Sequence, residues 1–173
     1  MDQSTPLVLH AYDSKPRPFN NSSNFPLNLS ININKTLKFN NESKDSSFLT
    51  KIVQKYYYEY VIELKLDEQR WKVFRRYSSF KVEHDRIKVY FSGLKKVKFP
   101  EKKIFNQSNE FQIERCNALE TYLVEFIKVV YESFNNVGNC SSSITKDEFC
   151  DKIKFFKQSS DDQKKARKLG WID

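Results

Sequence analysis

The chain has 173 residues and 20.7 kDa, enough for one ordinary domain with tails, and its 39% hydrophobic and 15% aromatic content can build a core. Its three glycines, Gly93, Gly138 and Gly170, each stand alone, which excludes a glycine-rich dinucleotide fingerprint or a Walker-type phosphate loop. Only two histidines exist, His10 and His84, far apart in sequence, so zinc binding and His-assisted nucleophilic catalysis lack raw material. The expectation is a protein that is not an enzyme, with no cofactor and no metal site.

Charge is unevenly placed. The net charge is +8, and residues 51–103 alone hold 15 Lys/Arg against 7 Asp/Glu, so the whole excess lies in the central segment. A concentrated basic face suits phosphates, on nucleic acid or on a membrane. Cys116, Cys140 and Cys150 have no metal-ligand spacing and read as reduced thiols of an intracellular protein. The N-terminal residues lack the basic start and long apolar run of a signal peptide, and no stretch approaches the roughly 20 apolar residues of a membrane span. A cytoplasmic protein that docks on membranes peripherally is expected.

Residues 1–24 are rich in Pro, Asn and Ser and read as an unfolded lead. Leu27, Leu29, Ile31 and Ile33 then alternate with polar residues, a half-buried strand. A polar loop follows at 40–47. A second strand from about Tyr56 to Leu66 puts Tyr58, Tyr60, Ile62, Leu64 and Leu66 on one face and Glu59, Glu63 and Lys65 on the other. The break Asp67-Glu68-Gln69 fits a hairpin, which makes Trp71 to Arg76 an antiparallel third strand. From Ser78 the period changes: Phe80, His84, Ile87 and Phe91 mark an amphipathic helix that Ser78 or Ser79 caps.

An irregular basic segment, 93–107, leads to a long helix beginning near Ser108. Its apolar stripe is Cys116, Leu119, Leu123, Phe126, Ile127, Val130 and Phe134. Thr145 and Glu148 have capping-box spacing, with Ile144 and Phe149 as the staple, and open a helix ending near Phe156. Strands followed by helices give an α+β fold: a three-stranded antiparallel sheet packed on a helical half. The expected division is an unfolded lead at 1–24, a domain at 25–158 and a flexible tail at 159–173.

The chemistry concentrates at Trp71 to Phe80. On a strand Arg75 and Arg76 face opposite ways, and Tyr77 sits at the strand-to-helix corner beside the first free amides of a helix. A guanidinium that can bond two oxygens at once, next to a helix start, suits a phosphate, and an aromatic ring suits the flat face of a sugar-like ring. A salt-bridged strand end would use the same residues.

WKVFRRYSSF resembles the RRYxxF signature of the PX (phox homology) family. FPEKKIF (99–105) is similar to the Pro-x-Lys end of that family's proline-containing loop, and IERCNALETYL (113–123) to the helix pattern that follows it. The resemblance implies a phosphoinositide-binding module of a small sorting-nexin-like protein, reading phosphatidylinositol 3-phosphate on endosomal membranes as a trafficking adaptor. By motif position, Arg76 would bind the 3-phosphate and Tyr77 would pack under the inositol ring. Lys102 would meet the 1-phosphate, with Lys103 as its rival, and Arg115 would bond the 4- and 5-hydroxyls. Pro100 stands alone where the family carries several prolines, and Glu83 replaces an apolar residue.

Within 91–99, Leu94 and Val97 interleave with Lys95, Lys96 and Lys98, and these five are the expected membrane contacts. A monomer is expected, with Lys15-Pro16-Arg17-Pro18 and residues 164–173 as candidate protein-partner segments. Two other readings fit the basic composition: an RNA-binding domain, or a PX domain whose vestigial pocket serves protein interaction. The first would expose a tyrosine-bearing sheet face, but here Ile62, Leu64 and Leu66 share it, which suggests core.

Overall fold

Period-two patterning forms the sheet. In the computed structural model, which describes residues 7–11, 17–18, 29–40, 56–102, 108–135 and 145–171, five strands pair antiparallel. They are β1 (Leu7–Ala11), β2 (Arg17–Pro18), β3 (Leu29–Asn40), β4 (Tyr56–Leu66) and β5 (Gln69–Arg76), in the order β1-β3-β4-β5 with β2 also on β3. The three expected strands are therefore consecutive members of a wider sheet that ends at β5. β1 and β2 lie in the segment expected to be unfolded, and their pairing covers the outer edge of β3. The β4–β5 hairpin turns at Asp67, whose φ of 51° is a left-handed conformation that Asp tolerates.

Between Ile33 and Lys35 the β3–β4 register shifts, a bulge. Before it Leu29, Ile31 and Ile33 face the main core; beyond it the faces exchange, and Leu37 turns to the opposite side while Thr36 meets Cys116 Sγ at 2.9 Å. The buried Glu120 carboxylate accepts the Ile33 N–H at 3.0 Å, so a strand irregularity is satisfied from a helix.

The helices are α1 (Tyr77–Ile87), α2 (Asn109–Asn135), α3 (Lys146–Lys152) and α4 (Ser160–Lys168), with 3-10 turns at Ser92–Lys96 and Lys154–Phe156. Neither Ser78 nor Ser79 caps α1: the strand runs straight into the helix, and Arg76 holds the N-cap position without a side-chain cap bond. Phe80, His84 and Ile87 of α1 and Cys116, Leu119, Leu123, Phe126, Ile127 and Val130 of α2 join Tyr60, Ile62, Leu64, Trp71 and Val73 in one core. Each fully buried large apolar side chain contributes about 1.5–3 kcal/mol. The expected capping box of α3 forms, with Thr145 accepting from Glu148 N–H and the Glu148 carboxylate accepting from Thr145 N–H. Ile144 and Phe134 lie where no side chain is described.

The segment expected to be a flexible tail is instead built into the fold. Ser159 and Asp162 form a second capping box that starts α4. Ala166 packs with Leu37, Val61 and Phe74 on the reverse face of the sheet, and Trp171 stacks on Phe74 with ring centroids 5.9 Å apart. β5 is an edge strand, and the C-terminal segment satisfies it: Phe74 N–H donates to Asp162 Oδ1 at 3.0 Å, and Gln158 Nε2 donates to Lys72 O at 3.1 Å.

Candidate functional site

The two consecutive arginines separate as strand geometry requires. Arg75 turns inward: its guanidinium donates to Phe155 O, Phe74 O, Lys157 O and both oxygens of Asp162, at 2.8–3.1 Å. It ties β5 to the start of α4. Arg76 turns to the other face and is exposed, its guanidinium carbon 4.4 Å from the centroid of the Tyr57 ring. Among the described residues it makes no hydrogen bond or ion pair. The free donors of a guanidinium thus stand beside the first amides of α1.

Tyr77 opens that helix. Its hydroxyl donates to Pro100 O, its ring lies 5.6 Å from Phe99, and Phe99 in turn packs on His84 and Tyr122. The loop carrying the single proline is therefore held against the corner by one hydrogen bond and an aromatic cluster. Burial pushes the Tyr77 phenol above its ordinary range, the nearby Arg115 offsetting part of the rise and Glu101 adding to it. His84 is pushed below its usual range by burial, with Lys81 and Lys88 acting in the same sense, and its Nδ1 lies 3.0 Å from the Tyr122 hydroxyl.

Arg115 comes from the second turn of α2. Its guanidinium sits over the Tyr77 ring at 4.8 Å and the Phe111 ring at 4.1 Å. Beneath it the Tyr60 hydroxyl donates to Gln112 Oε1 at 3.1 Å, and burial holds that phenol protonated well above its usual range. Phe111, Arg115 and Tyr122 line a groove of about 1070 Å³ together with Lys96, Val97, Lys98 and Pro100.

Of the four expected ligands, the structure brings Tyr77 and Arg115 into direct contact, and Arg76 is next to Tyr77 on the chain. Lys102 is exposed, two residues beyond the Pro100 carbonyl that Tyr77 holds, and among the described residues no contact joins it to the other three; Lys103 lies outside the described residues. Leu94 is the clear correction among the expected membrane contacts. It is 0% exposed, because the 3-10 turn folds it into the core beneath α2. That turn approaches so closely that a Cβ on Gly93 would lie 2.9 Å from Val129 Cγ1. Val97 is half-buried against the same core, whereas Lys95, Lys96 and Lys98 are exposed.

Comparison with known proteins bears on this corner directly. The family model described as PX domain matches residues 63–133, a span that starts inside β4 and takes in the arginine strand, the proline loop and most of α2. That span is identified as a PX domain. Kinesin-like protein KIF16B of Mus musculus and of Homo sapiens is 31% identical over 106 residues, 59% of this chain and 8% of each relative. The chain thus spans only a small part of the curated relatives it matches. A solved structure titled as a designed CISK-PX domain is 23% identical, covers 57% of this chain and 83% of its own, and has a TM-score of 0.42. As in PX domains generally, the association is with lipid and membrane binding rather than catalysis. No helix among the described residues is long and apolar enough to cross a membrane, and none of their His, Cys, Asp and Glu groups could hold a metal ion.

Sequence reasoning did not find Phe111 and Tyr57, the rings that support the arginines. Both had a signal. Phe111 stands four residues before Arg115, the spacing at which helix side chains meet. Tyr57 lies diagonally across from Arg76 once the hairpin register is set, within reach of a long side chain.

Proposed function

We propose that this PX domain binds phosphatidylinositol 3-phosphate and thereby places the protein peripherally on cytoplasmic faces of endosomal membranes, as a trafficking adaptor. One observation carries the reading: the exposed Arg76 at the N-terminal end of α1, which makes no hydrogen bond or ion pair among the described residues, beside a Tyr77 ring that is itself packed on Arg115. Arg76 supplies the bidentate donors for the 3-phosphate, assisted by the helix amides. Tyr77 offers its ring to the inositol face, and Arg115 is within reach of the hydroxyls on the far edge, where further phosphates would crowd it. Lys102 meets the 1-phosphate, and Lys95, Lys96 and Lys98, with Val97 between them, face the anionic surface.

Co-sedimentation of the wild type and Arg76→Ala with vesicles carrying each phosphoinositide, at two salt concentrations, tests this. A charge-assisted hydrogen bond is worth about 1.5–3 kcal/mol, so the substitution should cost on the order of ten- to a hundredfold for the 3-phosphate lipid and little for the others. Binding that follows total negative charge and ignores Arg76 would defeat the proposal.

A further inference from the structure

An acidic partner for Arg76 is close at hand. Glu59 is its direct opposite in the β4–β5 register, and directly opposed residues of an antiparallel pair point to the same face with Cβ atoms about 4.5–5.5 Å apart. Opposite charges in such positions attract, and Glu59 is only 6% exposed, where an unpaired carboxylate is costly. Yet Glu59 does not take Arg76. Both of its oxygens accept from Lys165 Nζ, at 2.8 and 2.7 Å.

Lys165 arrives from more than a hundred residues away, on α4, and its position is fixed by the helix. The Ser159–Asp162 capping box sets the start, Asp162 docks on the β5 edge and on Arg75, and Ala166 is buried next to Lys165. The ammonium also lies 5.8 Å from the Phe74 ring. One buried carboxylate thus has one cation opposite it in the sheet and is bonded to another that arrives on the helix. The first, Arg76, is held by the face of Tyr57, a contact that uses none of its N–H donors.

We infer that Lys165 is a positioning residue: by occupying Glu59 it keeps Arg76 available for an external phosphate. This rests on the phosphoinositide reading and adds a requirement to it, that α4 be docked for the pocket to bind. A C-terminal segment outside the pocket thereby controls the charge at its mouth.

The test uses the full chain with Lys165→Met, Glu59→Gln and the double variant, on phosphatidylcholine vesicles with and without phosphatidylinositol 3-phosphate. Lys165→Met retains the stem over Phe74 and leaves Glu59 to capture Arg76, so affinity should fall about fivefold, the upper range for a near-surface ion pair. Glu59→Gln alone should stay within about twofold of wild type, and adding it to Lys165→Met should restore binding to that level. Unchanged binding in Lys165→Met, or a double variant as weak as the single, overturns the inference; the second result would mean that only helix docking had been damaged. The Arg76 Nε–Hε resonance gives a readout independent of lipid. It should move and exchange more slowly in Lys165→Met and return in the double variant, and an unmoved signal also overturns the inference. If the wild type binds no phosphoinositide vesicle, the functional reading fails by itself, and the resonance still decides whether Lys165 keeps Glu59 from Arg76.

Discussion

Arg75 and Arg76 are chemically identical neighbours whose roles are set by which face of β5 each occupies. Arg75 spends its donors on carbonyls and on the buried Asp162 carboxylate, which is itself only 2% exposed. Removing it takes the paired cation from that carboxylate, which keeps only the Phe74 and Ser159 donors, and one donor from each of three carbonyls. Arg76 leaves an exposed ring contact behind. Arg75→Met should therefore lower unfolding free energy by about 3 kcal/mol, as for one broken partner of a buried pair. Arg76→Ala should stay within about 0.5 kcal/mol, as for a surface position. Urea unfolding of the two variants checks this, and equal destabilisation would mean that Arg76 is structural and not held for a ligand. Leu94 makes the complementary point. Its apolar character was legible, but whether an apolar residue between lysines points out or in depends on the path of the turn around it, and Gly93 against Val129 sets that path.

At the level of elements, strong periodicity was enough and weak periodicity was not. β4, β5, α1 and α2 all have several apolar residues in register with one face, and the structure forms each element on that pattern, although α1 ends at Ile87 and leaves Phe91 beyond it. Helix α4 has only Asp162 and Ala166 buried, and nine residues that are otherwise polar give no stripe to read. Its start was also hidden. Thr145-x-x-Glu148 matches the usual Ser/Thr-x-x-Glu capping box, whereas Ser159-x-x-Asp162 uses the shorter acid. The reverse face was obscured by the bulge in β3, which moves Leu37 to the side opposite Ile33. Lys165, which lies on α4, was hidden by the same lack of a stripe. Asp162 accepts both the Phe74 amide and the Arg75 guanidinium, so one carboxylate joins the start of α4 to the β5 edge. In Asp162→Ala the Phe74 amide should lose most of its hydrogen-exchange protection while the amides of β4 keep theirs. Retained protection at Phe74 would show that the apolar contacts of Ala166 and Trp171 hold the helix without it.

For the molecule as a whole, the +8 charge and the shaped corner make separable contributions to membrane binding. Lys95, Lys96 and Lys98 are exposed on the segment following α1, Lys96 and Lys98 beside the groove that Arg115 also lines, whereas the Tyr77–Arg115 contact is set by α1 and α2. Each basic residue near an anionic surface contributes about 1 kcal/mol, through a field that falls off within a Debye length and is therefore screened by salt. The contacts to a bound headgroup lie closer to low-dielectric walls and are screened less. Replacing the three lysines by alanine should therefore weaken binding to phosphatidylserine-rich vesicles on the order of tenfold or more at low salt and flatten the dependence on salt. The preference among phosphoinositides should remain. Arg76→Ala should do the reverse, erasing the preference while keeping the steep salt dependence of the lysines. Co-sedimentation across a salt series with each lipid separates the two, and loss of lipid preference in the lysine variant would mean that these side chains belong to the pocket and not to the surface around it.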